Sequence, residues 1–216
     1  MKEHKRKHDY GSLKWYSGNS DAKTLRVYGT LDESDRRAIS AGHYDWLFLY
    51  LDEYSELNLP QLNADLRAVT LVAPKTTEVS WLSDMVALQY LNVSGKVSGI
   101  VELARLPSLR VLSIPTDMPF PGLYGDDPAL PAITTLSVNS PSKPFGEFSA
   151  AIRSSISWLG LGGTRIASLE GLSAFSNVGS LYLGNMYALT EVGELAKMSQ
   201  LTELDVYACN KITDLS

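Results

Sequence analysis

Nine times along this chain a pair of aliphatic residues two apart recurs at a nearly fixed interval. The pairs are Leu25/Val27, Leu47/Leu49, Val69/Leu71, Leu91/Val93, Leu112/Ile114, Leu136/Val138, Leu159/Leu161, Leu181/Leu183 and Leu204/Val206. Successive intervals are 22, 22, 22, 21, 24, 23, 22 and 23 residues. A compact single-core domain has no reason to keep such a period over its whole length. A stacked solenoid does, because each repeat is one turn that buries its apolar edge only against its neighbours. The period therefore makes residues 21–216 one elongated unit, irregular up to about residue 60, and sets residues 1–20 apart as a basic tail and the start of an amino-terminal cap.

Each pair sits in a short alternating segment such as Ser180-Leu181-Tyr182-Leu183-Gly184, which is a strand with one buried face. A second rhythm follows it. Ile166, Leu169, Leu172, Phe175 and Val178 are spaced by three, as are Leu189, Val192, Leu195, Met198 and Leu201. Ile100, Leu103, Leu106 and Leu109 repeat this, and so do Val79, Leu82, Met85 and Leu88. A period of three fits 3₁₀ turns or a very short helix, since an α-helix drifts off that register. Each unit thus reads as strand, turn, short helical return and next strand. Two returns are rich in proline, 115–131 and 139–148, and are expected to be extended because proline removes a donor and fixes φ. The first of them, around Phe120 to Asp127, is a candidate protruding contact loop. At the amino end Leu13–Tyr16, Ser17–Ser20 and Leu25–Tyr28 read as strand, turn and strand, and Asp32–Ile39 as a short helix with acidic residues at its positive end.

Leu201-x-x-Leu204-x-Val206-x-x-Cys209-x-x-Ile212 and Ile156-x-x-Leu159-x-Leu161-x-x-Thr164-x-Ile166-x-x-Leu169 resemble the leucine-rich repeat consensus. Continuing through Glu170-Gly171-Leu172, the second is similar to the short repeats of internalin-type and related bacterial proteins. The resemblance implies an α/β fold: a right-handed solenoid with a curved parallel sheet of about nine short strands and short helical, 3₁₀ or extended returns. Right-handedness also follows from the crossover rule for parallel strands. The family places Asn or Cys three residues after the second strand aliphatic, whereas here that position reads Thr30, Asp52, Pro74, Lys96, Asp117, Pro141, Thr164, Met186 and Cys209. Without an asparagine ladder the turns must be uneven.

The chemistry-bearing residues are sparse. His4 and His8 lie in the basic tail, leaving His43 beside Tyr44 and Asp45 as the one catalytic candidate, with no signature around any serine. One Cys and three scattered His make no protein-only zinc site of the usual spacing. Gly160-Leu161-Gly162-Gly163 lacks the Lys-Ser/Thr of a phosphate loop and is explained by the repeat. The expectation is no catalytic residue, no metal and no cofactor, and hence no enzyme. A net charge of −5 with a pI near 5.2 disfavours nucleic acid or an anionic membrane as partner. A single cysteine excludes an internal disulfide, and no apolar run makes a secretory signal or a membrane span, so a cytoplasmic location is expected.

What stands out is the face of the strands opposite the aliphatic pairs. Tyr28, Trp46, Phe48, Tyr50, Tyr90, Asn92, Trp158, Tyr182, Glu203, Asp205 and Tyr207 all fall at outward positions. Trp46, Phe48 and Tyr50 admit covering by the cap. Tyr90, Asn92, Trp158, Tyr182, Glu203, Asp205 and Tyr207 form the candidate binding set, with the small residues Gly160, Gly162, Ser180 and Gly184 leaving the rings clear. Tyr and Trp give large rigid contact area with a polar handle, and the two acids favour a basic patch on the partner. The family resemblance implies a protein-binding module of an immunity or effector type. Two alternatives are a recognition segment of a longer enzyme such as a ubiquitin-ligase effector, and a carbohydrate or small-ligand binder. The chain stops midway through its ninth return, so self-association through an uncapped carboxy-terminal edge is a further expectation.

Overall fold

The computed structural model describes residues 23–51, 65–117, 119–163 and 165–212. Nine strands form a single sheet in strict chain order, every neighbouring pair parallel. They are β1 Thr24–Tyr28, β2 Trp46–Tyr50, β3 Ala68–Glu78, β4 Tyr90–Ser98, β5 Val111–Ile114, β6 Thr135–Val138, β7 Trp158–Gly162, β8 Ser180–Gly184 and β9 Glu203–Tyr207. The repeating pairs are in register: Leu25 opposes Leu47, Leu47 opposes Val69, and the alignment continues to Leu181 with Leu204 and Leu183 with Val206. One hydrogen-bond device recurs at every step. The carbonyl just before a strand accepts two N–H groups from the start of the next repeat. Arg67 takes those of Gln89 and Tyr90, Thr134 those of Ser157 and Trp158, and Gly179 those of Thr202 and Glu203.

The returns are mostly 3₁₀, at Ser80–Asp84, Leu103–Arg105, Pro121–Leu123, Phe145–Glu147, Leu172–Ala174 and Gly193–Lys197. The period of three has a direct cause. Phe175 N–H donates to Leu172 O and Leu172 N–H to Leu169 O, and Leu201, Met198 and Leu195 repeat the chain of bonds. Each bonded residue is also an apolar one turned inward, so backbone satisfaction and burial share one spacing. Two α-helices complete the set, α1 at Glu33–Ser40 and α2 at Ala150–Ser155. The first matches the acidic-start helix read from sequence. Asp32 Oδ1 accepts from Asp35 N at 2.9 Å and Asp35 Oδ2 from Asp32 N at 3.2 Å, a reciprocal capping box.

Three expectations need correction. The proline-rich returns are not purely extended, since each holds a 3₁₀ turn, and Pro121 sits at the first helical position, where no N–H is needed. Phe120 does not protrude; it is fully buried in the core, and among the described residues of that return the exposed ones are Pro121 and the tip at 126–129. Ile100 is 57% exposed while Val101 is buried, because the left-handed Gly99 (φ 91°) re-aims the chain before that 3₁₀ turn. The ninth pair is also less enclosed than the other eight. Leu204 is 38% exposed and Val206 half-buried, because no further described strand stacks on β9. The cap strand at 13–16, the turn at 17–20 and the chain end at 213–216 lie outside the described residues.

The uneven turns are real. Thr30, Pro74 and Lys96 are exposed at the ladder position, whereas Asp117, Met186 and Cys209 are buried. Asp117 Oδ2 accepts from Ser142 N at 2.8 Å and from the Tyr124 hydroxyl, and Cys209 Sγ donates to Leu183 O at 3.6 Å. Different chemistries thus satisfy the same turn.

Leu159→Ala should destabilise by about 2–5 kcal/mol in urea unfolding, whereas Leu204→Ala should cost about 1 kcal/mol or less, since one residue is sealed and the other open. Equal costs would contradict this stacking. Gly95→Ala should be severe, because φ is 102° there and the new Cβ would collide with the Ala73 carbonyl.

Candidate functional site

Strand alternation turns one residue of each aliphatic pair's flanks out of the core, and register lines these up across the sheet. One row runs Trp46, Ala68, Tyr90, Val111, Thr135, Trp158, Ser180, Glu203 from β2 to β9. The next runs Phe48, Thr70, Asn92, Ser113, Ser137, Gly160, Tyr182, Asp205. Mid-sheet the residues of both rows are short, and a hollow of about 530 Å³ opens there between Tyr90 on β4 and Trp158 on β7. Asn92, Ser113, Thr135 and Ser137 line it with amide and hydroxyl groups, over an apolar base of Val111 and Leu112. A second hollow of about 450 Å³ lies on the far side of Trp158, bounded by Ser180, Tyr182, Glu203 and Asp205. Trp158 is the wall shared by both.

Six of the seven expected binding residues therefore line these two hollows; Tyr207 lines neither and is 61% exposed on β9. The details differ from expectation in two ways. Tyr90 is only 4% exposed, because it packs with Ala68 and Val111 and meets the Trp46 ring edge-on at 5.7 Å. Burial pushes its hydroxyl pKa up, and hydrogen bonds with Asn92 and Thr70 pull it back. It is a fixed wall, not a free anchor. The rings of Trp158 and Tyr182 do not stand clear of the glycines either; they lie down on them. A Cβ on Gly160 would come 2.6 Å from Trp158 Cη2, and one on Gly184 would come 2.5 Å from Tyr182 Cε1. Each ring occupies the space that a side chain two residues on would fill. Sequence spacing shows that these glycines are small, but not which way a neighbouring ring folds. Ser113, Thr135 and Ser137, absent from the expected set, are the residues the structure adds.

At the β1–β2 end Tyr28 and Tyr50, both 45% exposed, lie 5.9 Å apart, and Arg26 stacks on Phe48 at 5.4 Å. Trp46 Nε1 donates to Thr70 Oγ1 at 3.2 Å. The first part of the cap read as covering Trp46, Phe48 and Tyr50, residues 1–22, lies outside the described ones. His43 is exposed in the turn after α1, and the Asp45 carboxylate accepts from Lys23 N at 3.1 Å, so the acid is already engaged by backbone.

No family model matches this chain, and no curated protein does. Among solved structures it is similar to an internalin (inlF) from Listeria monocytogenes str. 4b F2365, with 15% identity over 96% of this chain and 74% of that one and a TM-score of 0.55. An internalin C2 (inlC2) from the same strain aligns over 91% of both chains with 16% identity and a TM-score of 0.43. The nine-strand ladder and this likeness give the fold: a leucine-rich repeat solenoid, assembled from irregular repeats.

On the opposite side, among the returns, Ser168, Glu170, Glu191, Glu194 and Lys197 surround a shallow acidic hollow. Glu194 is held at a pKa of about 2 instead of 4.5, chiefly by Lys197 Nζ at 2.5 Å and then by the Ser173 hydroxyl at 2.6 Å and Ser173 N–H. A folded pKa below the unfolded one adds stability above the unfolded value and loses it as the proton goes on. Unfolding midpoints should therefore fall as pH drops from about 4.5 toward 2, and Glu194→Gln should flatten that part of the profile. An unchanged acid slope in the variant would show that the Lys197 and Ser173 contacts are not made in solution.

Proposed function

We propose that this chain is a non-enzymatic protein-binding module that grips its partner on the concave sheet face, between Tyr90 and the acidic β9 edge. The observation that carries this is Trp158. A 37% exposed tryptophan seated on a glycine, with a hollow on each side, is a rigid aromatic anchor with depressions for partner side chains. The sheet supports it on the same hydrogen-bonded frame as the core, so little ordering is lost on binding. Nine strands spaced about 4.8 Å run on the order of 40 Å, enough for a standard protein interface. The internalin-like fold fits this class of use without naming a partner. An immunity- or effector-type role in a bacterial cytoplasm, a place as the recognition segment of a longer enzyme, and self-association through the β9 edge remain proposals of the same kind.

The test starts from partners captured from a lysate of the source organism and identified by mass spectrometry. Trp158→Ala with Tyr182→Ala should weaken binding of a purified partner by at least about 2 kcal/mol, roughly thirtyfold. The thermal midpoint should hardly move, since both side chains lie outside the core. Full affinity in the folded double variant would reject the sheet face and direct attention to the exposed tip at 126–129.

A further inference from the structure

Charge is distributed along the sheet face in a way that specifies the partner. In the two outward rows, the charged residues are Arg26 on β1 and Glu203 and Asp205 on β9. Every outward position of those rows from β2 to β8 is uncharged, in a chain where a fifth of the residues are charged. The central hollow thus offers only amide, hydroxyl and apolar surface, so placing a charged group there would cost its hydration without a counter-charge. The β9 hollow is the reverse. Its two carboxylates are exposed, no outward cation stands beside them on β7 or β8, and Glu203 Oε2 accepts from Ser180 Oγ at 2.6 Å, which fixes one of them in place.

From this we infer that the partner is an extended protein segment lying across the strands, with an uncharged residue in the hollow between Tyr90 and Trp158 and a Lys or Arg against Glu203 and Asp205. The inference rests on the concave-face reading proposed above and deepens it. The centre of the first hollow, between β5 and β6, is separated from β9 by three to four strand spacings, about 17 Å, which about five residues of extended chain span. Trp158 lies beneath the connecting residues. Asn92, Ser113 and Ser137 are suited to the amide groups such a segment carries, whereas Lys or Arg is the group that the acid pair selects. The acid pair gives the face a direction, so the basic residue belongs at β9.

The experiment is selection of a random sixteen-residue peptide display library on the folded chain. Enriched peptides should share Lys or Arg about five residues from an uncharged aromatic or aliphatic residue. A synthetic peptide of that pattern should bind about tenfold more weakly to the Glu203→Gln, Asp205→Asn variant, with its salt dependence largely gone. It should also be lost on Ser137→Tyr, which fills the central hollow. Selection against Glu203→Lys, Asp205→Lys should return acidic residues at the same spacing. Peptides lost on Ser137→Tyr but indifferent to the acid pair would overturn this inference and leave the concave-face reading standing. Peptides indifferent to both sets of changes would sink both. A library that yields no binder, or uncharged glycans binding the central hollow in an array, would equally overturn the extended basic segment.

Discussion

A repeat of about twenty-two residues persists only if every turn of the chain satisfies its backbone through the turns on either side. Two hydrogen-bond systems do this here. On the sheet side a single carbonyl before each strand accepts two N–H groups from the next repeat, from Lys23 through Gly179. On the return side successive apolar residues three apart donate N–H to one another's carbonyls. Both systems leave almost nothing to long-range chain geometry, so intervals of 21 to 24 residues are absorbed by local turns while the ladder stays in register. The fold tolerates a 17-residue proline-rich return for the same reason. Phe120 and Leu123 keep the inward positions, and a 3₁₀ turn that starts at Pro121 restores the hydrogen-bond spacing.

That locality explains how much was legible beforehand. The aliphatic pairs and the period of three report directly on the two hydrogen-bond systems, so strand number and order, and the return type outside the two proline-rich segments, could be read from spacing alone. The exceptions arise where a residue's neighbours in the sequence do not determine its surroundings. Ile100 keeps the period of three but loses the core to Val101, because a left-handed glycine intervenes. Tyr90 reads as an outward residue and is one, yet it is enclosed by Trp46, Ala68 and Val111 from the strands on both sides. Those neighbours are 44, 22 and 21 residues away in sequence, and only the register puts them together. Leu204 carries the repeat signature in full, and its exposure reflects the stack around it and nothing in its own segment.

The candidate site was legible as a row of residue types but not as a surface. Asn92, Trp158, Tyr182, Glu203 and Asp205 were visible as outward positions of the pattern. The hollow itself is a property of what is missing: side chains at Ser113, Thr135 and Ser137 too short to fill the space that Tyr90 and Trp158 bound. Short hydroxyl residues draw no notice in a sequence, since the same residues occur in any turn. They acquire meaning only when four strands are laid side by side.

The glycines of β7 and β8 bring the energetics and the site together. A glycine inside a strand costs about 0.5–1 kcal/mol relative to alanine, through greater freedom in the unfolded chain and an unpacked stretch of backbone. Gly160 and Gly184 are strand-interior or strand-end positions of this kind, and each is roofed by the ring two residues before it. The ring restores the missing contact, and the absence of a Cβ lets the ring lie flat, so each residue compensates for the other. Core packing alone would be served as well by two ordinary side chains. What the pairing adds is an aromatic ring held against the backbone of its own strand and partly open to solvent, with no side chain at the glycine to displace it. Trp158 therefore owes its position to the backbone, and a partner meeting it encounters a surface that is already organised.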